Sequence, residues 1–279
     1  MTVYSEKPWL KSYDKHVTAE IPIPEVTYLD FLEKGLKADP DRIAFHFLGS
    51  TCTFGELDAL SDRFARYLVS KGCVPGDVVG IHLPNVPQYL IALVGTIKAG
   101  CVKSGVSPLL TAREIIHQLN DSKAKVFVTL DALFQAHLVG AADQIPDLQH
   151  VVVTNVADFL SPFKLFLGKL LKKIPSGKIV PLQGKEVISY KELIASFPAD
   201  RPKVSLSPDD TCLLQYTGGT TGPSKGTVLT HRNLTSNQAQ ITQWLYDDLD
   251  PEADILMDAK RGTDVMCSGF PFFPMAGLG

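Results

Sequence analysis

Apolar residues along this chain keep two rhythms: short unbroken runs, and longer stretches that recur every three to four positions. The first rhythm predicts buried strands and the second predicts helices. Leu57, Leu60, Phe64 and Leu68 recur at helical spacing until Gly72. Thr53 and Glu56 precede them at the spacing of a capping box, in which hydroxyl and carboxylate satisfy amides that a first turn leaves bare. Thr111 with Glu114 and Ser189 with Glu192 repeat the signal. Further helices are expected over 27–38, 86–98, 132–142 and 231–246, the last with Thr230 as N-cap and His231 capping or packing at its start. Strands are expected over 42–47, 51–53, 78–83, 101–106, 125–130, 150–154, 212–216, 227–229 and 264–267. Strands separated by helices of ten or more residues imply right-handed crossovers, and hence an α/β fold with mostly parallel sheets flanked by helices.

Three segments follow from this pattern. Residues 1–24 carry Trp9 and Tyr13 among charges and end in Ile-Pro-Ile-Pro, an extended arm with aromatic anchors. Residues 25–200 form an α/β subdomain. The polar, proline-containing stretch 198–210 then reads as a connection, so 201–279 is expected to begin a second α/β subdomain. No internal repeat is present.

Segment 159–185 stands apart, with lysines at 164, 169, 172, 173, 178 and 185 and no acidic residue. On a helical wheel, Phe163, Phe166, Leu167, Leu170, Leu171 and Ile174 share one face; the lysines of 163–174 lie opposite, and Leu165 alone breaks the pattern. Such a helix either lies along an anionic membrane surface or packs on the body with a solvated lysine face.

Composition narrows the classes. With 45% hydrophobic and 20% charged residues over 279 positions, the chain can bury a substantial core. A formal charge of -3 without an arginine-rich or aromatic-interleaved tract argues against nucleic acid. Five scattered cysteines without ligand spacing suit small buried residues in a reducing compartment. The polar start lacks a signal-peptide pattern, and the longest apolar run, 89–97, is too short to span a bilayer. A cytoplasmic protein is expected, peripheral at the inner membrane face if 163–174 binds lipid.

The chemistry concentrates in LLQYTGGTTGPSKGTVLTHRNL, residues 213–234. Between Thr217 and Gly226, glycines allow backbone amides to converge on an anion, threonine hydroxyls add donors, and Lys225 adds a positive charge. The apolar run before the loop and the β-branched run after it place it between two strands. A Walker loop is excluded because Lys225 is followed by Gly226 and a strand, not a helix. GxGxxG has no match. A plain flexible Gly/Thr loop would not also unite Tyr216, the Thr220–Thr221 pair and Lys225 at this spacing.

Tyr216, Thr217, Gly218, Gly219, Thr220, Thr221, Gly222, then two variable positions, Lys225 and Gly226 resemble the signature of the adenylate-forming (AMP-binding) enzymes. Gly218, Gln215 and the following LTHRNL are most similar to the fatty acyl-CoA synthetase branch. IHLPNVPQYLIALVGTIKAG (81–100) and SPLLTAREIIHQL (107–119) extend the likeness over most of the chain. The resemblance implies that a fatty acid attacks the α-phosphate of ATP, carried with Mg2+, to give acyl-adenylate and pyrophosphate, and that coenzyme A then displaces AMP. Thr217, Thr220 and Thr221 would donate hydroxyls, Gly218, Gly219 and Gly222 backbone amides, and Lys225 a counter-charge near the β- and γ-phosphates, with Lys225 and Thr221 as the catalytic pair. No metal ligand is assigned.

In GFPFFPMAGLG (269–279), Phe272, Phe273 and Met275 would wall the acyl and CoA passage, while Pro274 stands where the family usually has histidine. The family's later Y-G-x-T-E segment, ribose aspartate, hinge and lid with its lysine do not occur in these residues. The resemblance thus implies the N-terminal part of a larger enzyme, inactive alone, with a homodimer left open. An aryl or amino-acid adenylating enzyme, or a shortened relative that holds phosphate or lipid without turnover, are the rival readings.

Overall fold

A computed structural model describes residues 3–170, 174–217, 222–245, 265 and 267–273. In chain order the elements are α1 (Val3–Glu6), α2 (Tyr28–Ala38), β1 (Ile43–Phe47), β2 (Ser50–Thr53), α3 (Phe54–Ser70), β3 (Val78–His82), α4 (Pro87–Lys98), β4 (Val102–Gly105), α5 (Ala112–Asp121), β5 (Val126–Leu130), α6 (Asp131–His137), β6 (His150–Thr154), α7 (Pro162–Leu170), β7 (Glu186–Ser189), α8 (Tyr190–Ser196), β8 (Thr211–Thr217), β9 (Lys225–Thr230) and α9 (His231–Leu245).

Among the described residues, β3 to β9 form one sheet in the order β7-β6-β5-β3-β4-β8-β9, and β1 and β2 form a separate antiparallel hairpin. Every neighbouring pair in the large sheet is parallel except β8 and β9. Side chains alternate across it as the two-residue strand period demands. Val126 and Val128 of β5 and Val152 of β6 join the core under α2, α3, α4 and α8. Phe127, Val151 and Val153 join the opposite core under α5 and α6. Helices therefore cover both faces, which is the α/β architecture expected.

The capping boxes fix helix starts as expected: Thr53 and Thr111 each accept the N3 amide, and Glu56 and Glu114 each take the cap amide in return. Ser189 accepts the Glu192 amide at the start of α8. Helix α4 is buried almost all round, including Lys98, whose Nζ meets Asp58 Oδ1 at 2.5 Å and Asp62 Oδ1 at 2.6 Å on α3. That pairing lets a charge sit in the core. His231 is buried and accepts the Tyr28 amide through Nδ1 at 3.2 Å, which ties α9 to α2.

Several elements differ from the sequence reading. The first 24 residues contain α1 and a 3-10 turn, Pro8–Ser12, so the arm is not extended throughout. Tyr13 anchors it edge-on against Trp244 of α9, with ring centroids 5.0 Å apart, whereas Trp9 meets only Tyr4 of the arm itself among the aromatic rings described. Helix α6 stops at His137, and Gly140 takes a left-handed φ of 93° before a short 3-10 turn, Ala142–Gln144. Strand β7, absent from the sequence reading, pairs with β6. The expected strand 264–267 is not formed at Val265 or Cys267, and its other positions lie outside the described residues. Beyond the connection at 198–210, β8 hydrogen-bonds to β4, so one sheet continues across residue 201.

Helix α7 ends at Leu170, and 171–173 lie outside the described residues. Phe163 and Phe166 point outward, 73% and 67% exposed, and the exposed Lys164 donates across the surface to the Leu48 carbonyl at 2.5 Å.

Candidate active site

Strand β8 enters the sheet buried at Cys212 and Leu213 and emerges at Thr217. It emerges at the carboxyl end of the parallel strands, where open α/β sheets bind ligands. Strand β9 returns antiparallel, and the register sets Tyr216 opposite Gly226 and Thr217 opposite Lys225. Thr217 and Lys225, far apart in role but eight positions apart in sequence, are thus the last pair of the ladder, both exposed. The loop they flank is 218–224. Gly222 lies on its return limb with φ 98°, a left-handed conformation that glycine adopts without strain. Gly218, Gly219, Thr220 and Thr221 lie outside the described residues, as do Pro274 and Met275.

A cleft of about 770 Å³ opens beside this hairpin, lined among others by Gly105, Arg113, His117, Tyr216, Gly222 and Ser224. Helix α5 forms its other wall. Tyr216 Oη donates to Asp121 Oδ2 at 2.6 Å, and burial, followed by that carboxylate, pushes the phenol pKa up. His117 Nε2 donates to the Ser224 carbonyl at 3.0 Å. Gly226 has a steric reason to be glycine, because a Cβ there would stand 3.1 to 3.3 Å from the Tyr216 ring that crosses it.

Phe272 and Phe273 sit on opposite cavities. Phe273 lines the cleft beside the loop. Phe272 lines a groove of about 840 Å³ together with Phe45, Phe47, Phe54, Pro87 and Leu90. Two side chains hold this segment. Asn85 Nδ2 donates to the Phe270 carbonyl at 2.7 Å, and the Phe272 amide donates to Asn85 Oδ1 at 2.8 Å. Lys103 Nζ donates to the Phe273 carbonyl at 3.3 Å and stands 5.8 Å from the centre of the Tyr89 ring. Gly105, two positions on, leaves it room: a Cβ there would stand 2.7 Å from Nζ. Lys103 is fully buried, and among the described residues no carboxylate pairs with it, so burial lowers its pKa to about 7.

Sequence reasoning singled out the loop, Phe272 and Phe273 but missed His117, Asp121, Asn85 and Lys103. A lysine inside the apolar run 101–106 was the one local signal available. Asp121 and Tyr216 meet across 95 positions, which no local pattern reports. Among the described residues no group of three or more His, Cys, Asp or Glu is placed to hold a metal ion, and no residue here is assigned to Mg2+. No helix among the described residues is long and apolar enough to cross a membrane.

Comparison with known proteins adds family and extent. A profile of the AMP-binding enzyme family matches residues 32–279. The long-chain-fatty-acid–CoA ligase of Bacillus subtilis (strain 168) is 30% identical over 279 residues, 98% of this chain and 47% of that protein. Its namesake in Yersinia pestis is 36% identical over 264 residues, 91% of this chain and 45% of that protein. The chain thus spans about half the length of the curated relatives it matches. Among solved structures, a long-chain-fatty-acid-CoA ligase from Archaeoglobus fulgidus superimposes with a TM-score of 0.61 at 21% identity, covering 81% of this chain and 40% of that one. An anthranilate CoA ligase, AuaEII, solved in complex with anthranoyl-AMP, gives a TM-score of 0.61 at 22% identity, covering 76% of this chain and 36% of that one. At these identities the two structures speak for the fold, and the profile for the family. The chain belongs to the AMP-binding enzyme family, matched across residues 32–279.

Proposed function

We propose that this chain supplies the phosphate-gripping part of an ATP-dependent, AMP-forming acid–thiol ligase whose acid is a fatty acid. The observation that carries the reading is the pairing of Thr217 with Lys225 at the open end of the sheet, with the glycine- and threonine-rich loop between them and a cleft alongside.

The chemistry asks little covalent work of the protein. A carboxylate oxygen forms a bond to the α-phosphorus of ATP, the bond to the bridging oxygen breaks, and pyrophosphate leaves with the electron pair. The acid is already ionised at neutral pH, so no protein nucleophile is needed. What the reaction requires is alignment and charge stabilisation on phosphoryl oxygens. Thr217 and the loop hydroxyls of Thr220 and Thr221 would donate to those oxygens, as would the backbone amides of Gly218, Gly219 and Gly222. Lys225 would meet the developing charge on the leaving pyrophosphate. Mg2+, when bound with ATP, neutralises phosphate charge. Coenzyme A thiolate then attacks the acyl carbon and AMP departs.

Fatty acid is favoured as the substrate by identity to long-chain ligases over 91 to 98% of the chain. The apolar lining of the groove beneath Phe272 agrees with it. Contact with an anionic membrane through 163–174 is part of the same reading, supported by the outward Phe163 and Phe166. ATP–pyrophosphate exchange on the intact protein with a panel of carboxylic acids tests the assignment. Exchange is expected with long-chain fatty acids and not with aryl or amino acids. Exchange driven by an aryl acid, as relatives such as the rice 4-coumarate–CoA ligase-like 9 would suggest, would replace the substrate and keep the chemistry.

A further inference from the structure

We infer that His117 and Asp121 are positioning residues for the phosphate loop, holding its two shoulders from helix α5. The inference rests on the proposed function and adds to it the parts that keep the loop in working shape.

The hairpin that carries the loop needs such support. Among the described residues, strand β9 is the edge of the sheet and pairs with β8 alone, so there the ladder by itself fixes one side of the hairpin only. A seven-residue loop that must present amides and hydroxyls in one geometry binds an anion better when its ends are already fixed, because less freedom is lost on binding. Helix α5 provides the fixing. His117 and Asp121 are four positions apart and therefore lie on one helix face. Asp121 accepts from Tyr216, just before the loop, and His117 donates to Ser224, just before Lys225. The bonds span 95 and 107 positions, and neither belongs to the strand ladder.

The helix that makes these bonds is itself anchored to the strand beside β8. Gln118 Nε2 donates to the Gly105 carbonyl at 2.9 Å and to Ser104 Oγ at 3.2 Å, and both acceptors are on β4. Gly226 completes the arrangement, since without a side chain it lets the Tyr216 ring lie across β9 and reach Asp121. Three neighbouring α5 side chains thus tie the helix to β4 and to both ends of the loop.

A double-mutant cycle on the intact protein tests this, using Asp121→Ala, Tyr216→Phe and the pair. Tyr216→Phe removes a single oxygen and leaves the packing of the ring in place, which keeps the test valid if Asp121→Ala folds poorly. Each single change is expected to lower kcat for ATP–pyrophosphate exchange about tenfold while the KM for the acid stays unchanged. The double variant should be no slower than the slower single. His117→Ala should also lose about tenfold, and His117→Gln, which can still donate to Ser224, should recover most of it. Arg66→Ala, whose partner Asp200 is remote from the cleft, is expected to leave exchange unaltered. Full activity in Tyr216→Phe, or losses that multiply in the double variant, would overturn the inference. Should Lys225→Ala lose exchange while Tyr216→Phe keeps it, the clamp fails and the proposed function stands. Should both keep it, the proposed function itself fails.

Discussion

Thr217 and Lys225 face each other across the last rung of the β8–β9 ladder, and only 218–224 separates them along the chain. Facing residues of an antiparallel pair carry their side chains on one face. A hydroxyl and an ammonium group are thereby delivered to the same side of the hairpin mouth. The ladder register thus makes a single site of two positions that the sequence only spaces apart.

Gly226→Ala probes how the site is held. The added Cβ would meet the Tyr216 ring at 3.1 to 3.3 Å, tighter than ordinary packing, so the ring must shift. Overpacking of this kind costs on the order of 1 kcal/mol or more. The expected result is a melting temperature lower by a few degrees and a severalfold weaker affinity for pyrophosphate, measured by titration calorimetry. Unchanged affinity would mean that the placement of the ring does not matter to the loop.

Lys103 gives a prediction in pH. Its folded pKa is lowered to about 7 from an ordinary 10.5, chiefly by burial, with buried Cys212 opposing the shift. Between those two values the unfolded chain holds a proton that the folded chain has lost, so stability rises with pH across the window. Below about pH 7 both states carry the proton and the burial penalty is fully present. Chemical unfolding of wild type and Lys103→Met at pH 7 and pH 9.5 should show a rise of up to about 1.4 kcal/mol per pH unit in the wild type that the variant lacks. Equal slopes in the two proteins would place the ammonium in water rather than beneath Phe273.

The basic segment has a direct assay. Changing Lys164, Lys169, Lys172 and Lys173 to glutamate should abolish flotation with vesicles rich in anionic lipid. Polybasic contacts are each worth about 1 kcal/mol at such a surface. Because Lys164 also bonds the Leu48 carbonyl, Phe163→Ser with Phe166→Ser is the companion variant, and it too should reduce flotation. Equal flotation of wild type and both variants would assign α7 to packing on the body alone.

How far the sequence speaks depends on how local each signal is. Thr53 with Glu56 and Thr111 with Glu114 act within one turn, so their helix starts are legible and the structure places them as expected. The position of the loop between two strands was legible for the same reason, since the apolar run before it and the β-branched run after it are local signals, and β8 and β9 form there. Strand β7 was not, because four residues after a proline-containing stretch become a strand only by pairing with β6. The arm misled through its prolines, which hide the helical turns before them. His117, Asp121 and Asn85 were illegible because their partners stand 95 to 187 positions away. The connection at 198–210 has the polar, proline-containing composition of a linker, yet the sheet runs on past it through the pairing of β4 with β8.

The central claim is that the loop ending in Lys225 grips the departing pyrophosphate, and its most direct test is ATP–pyrophosphate exchange by Lys225→Ala in the intact protein. Loss of one stabilising group at a phosphoryl centre should slow exchange by about 100-fold or more. Lys225 is exposed at the end of its strand, so the melting temperature should stay within a degree or two of wild type. Exchange at the wild-type rate in a folded variant would contradict the account.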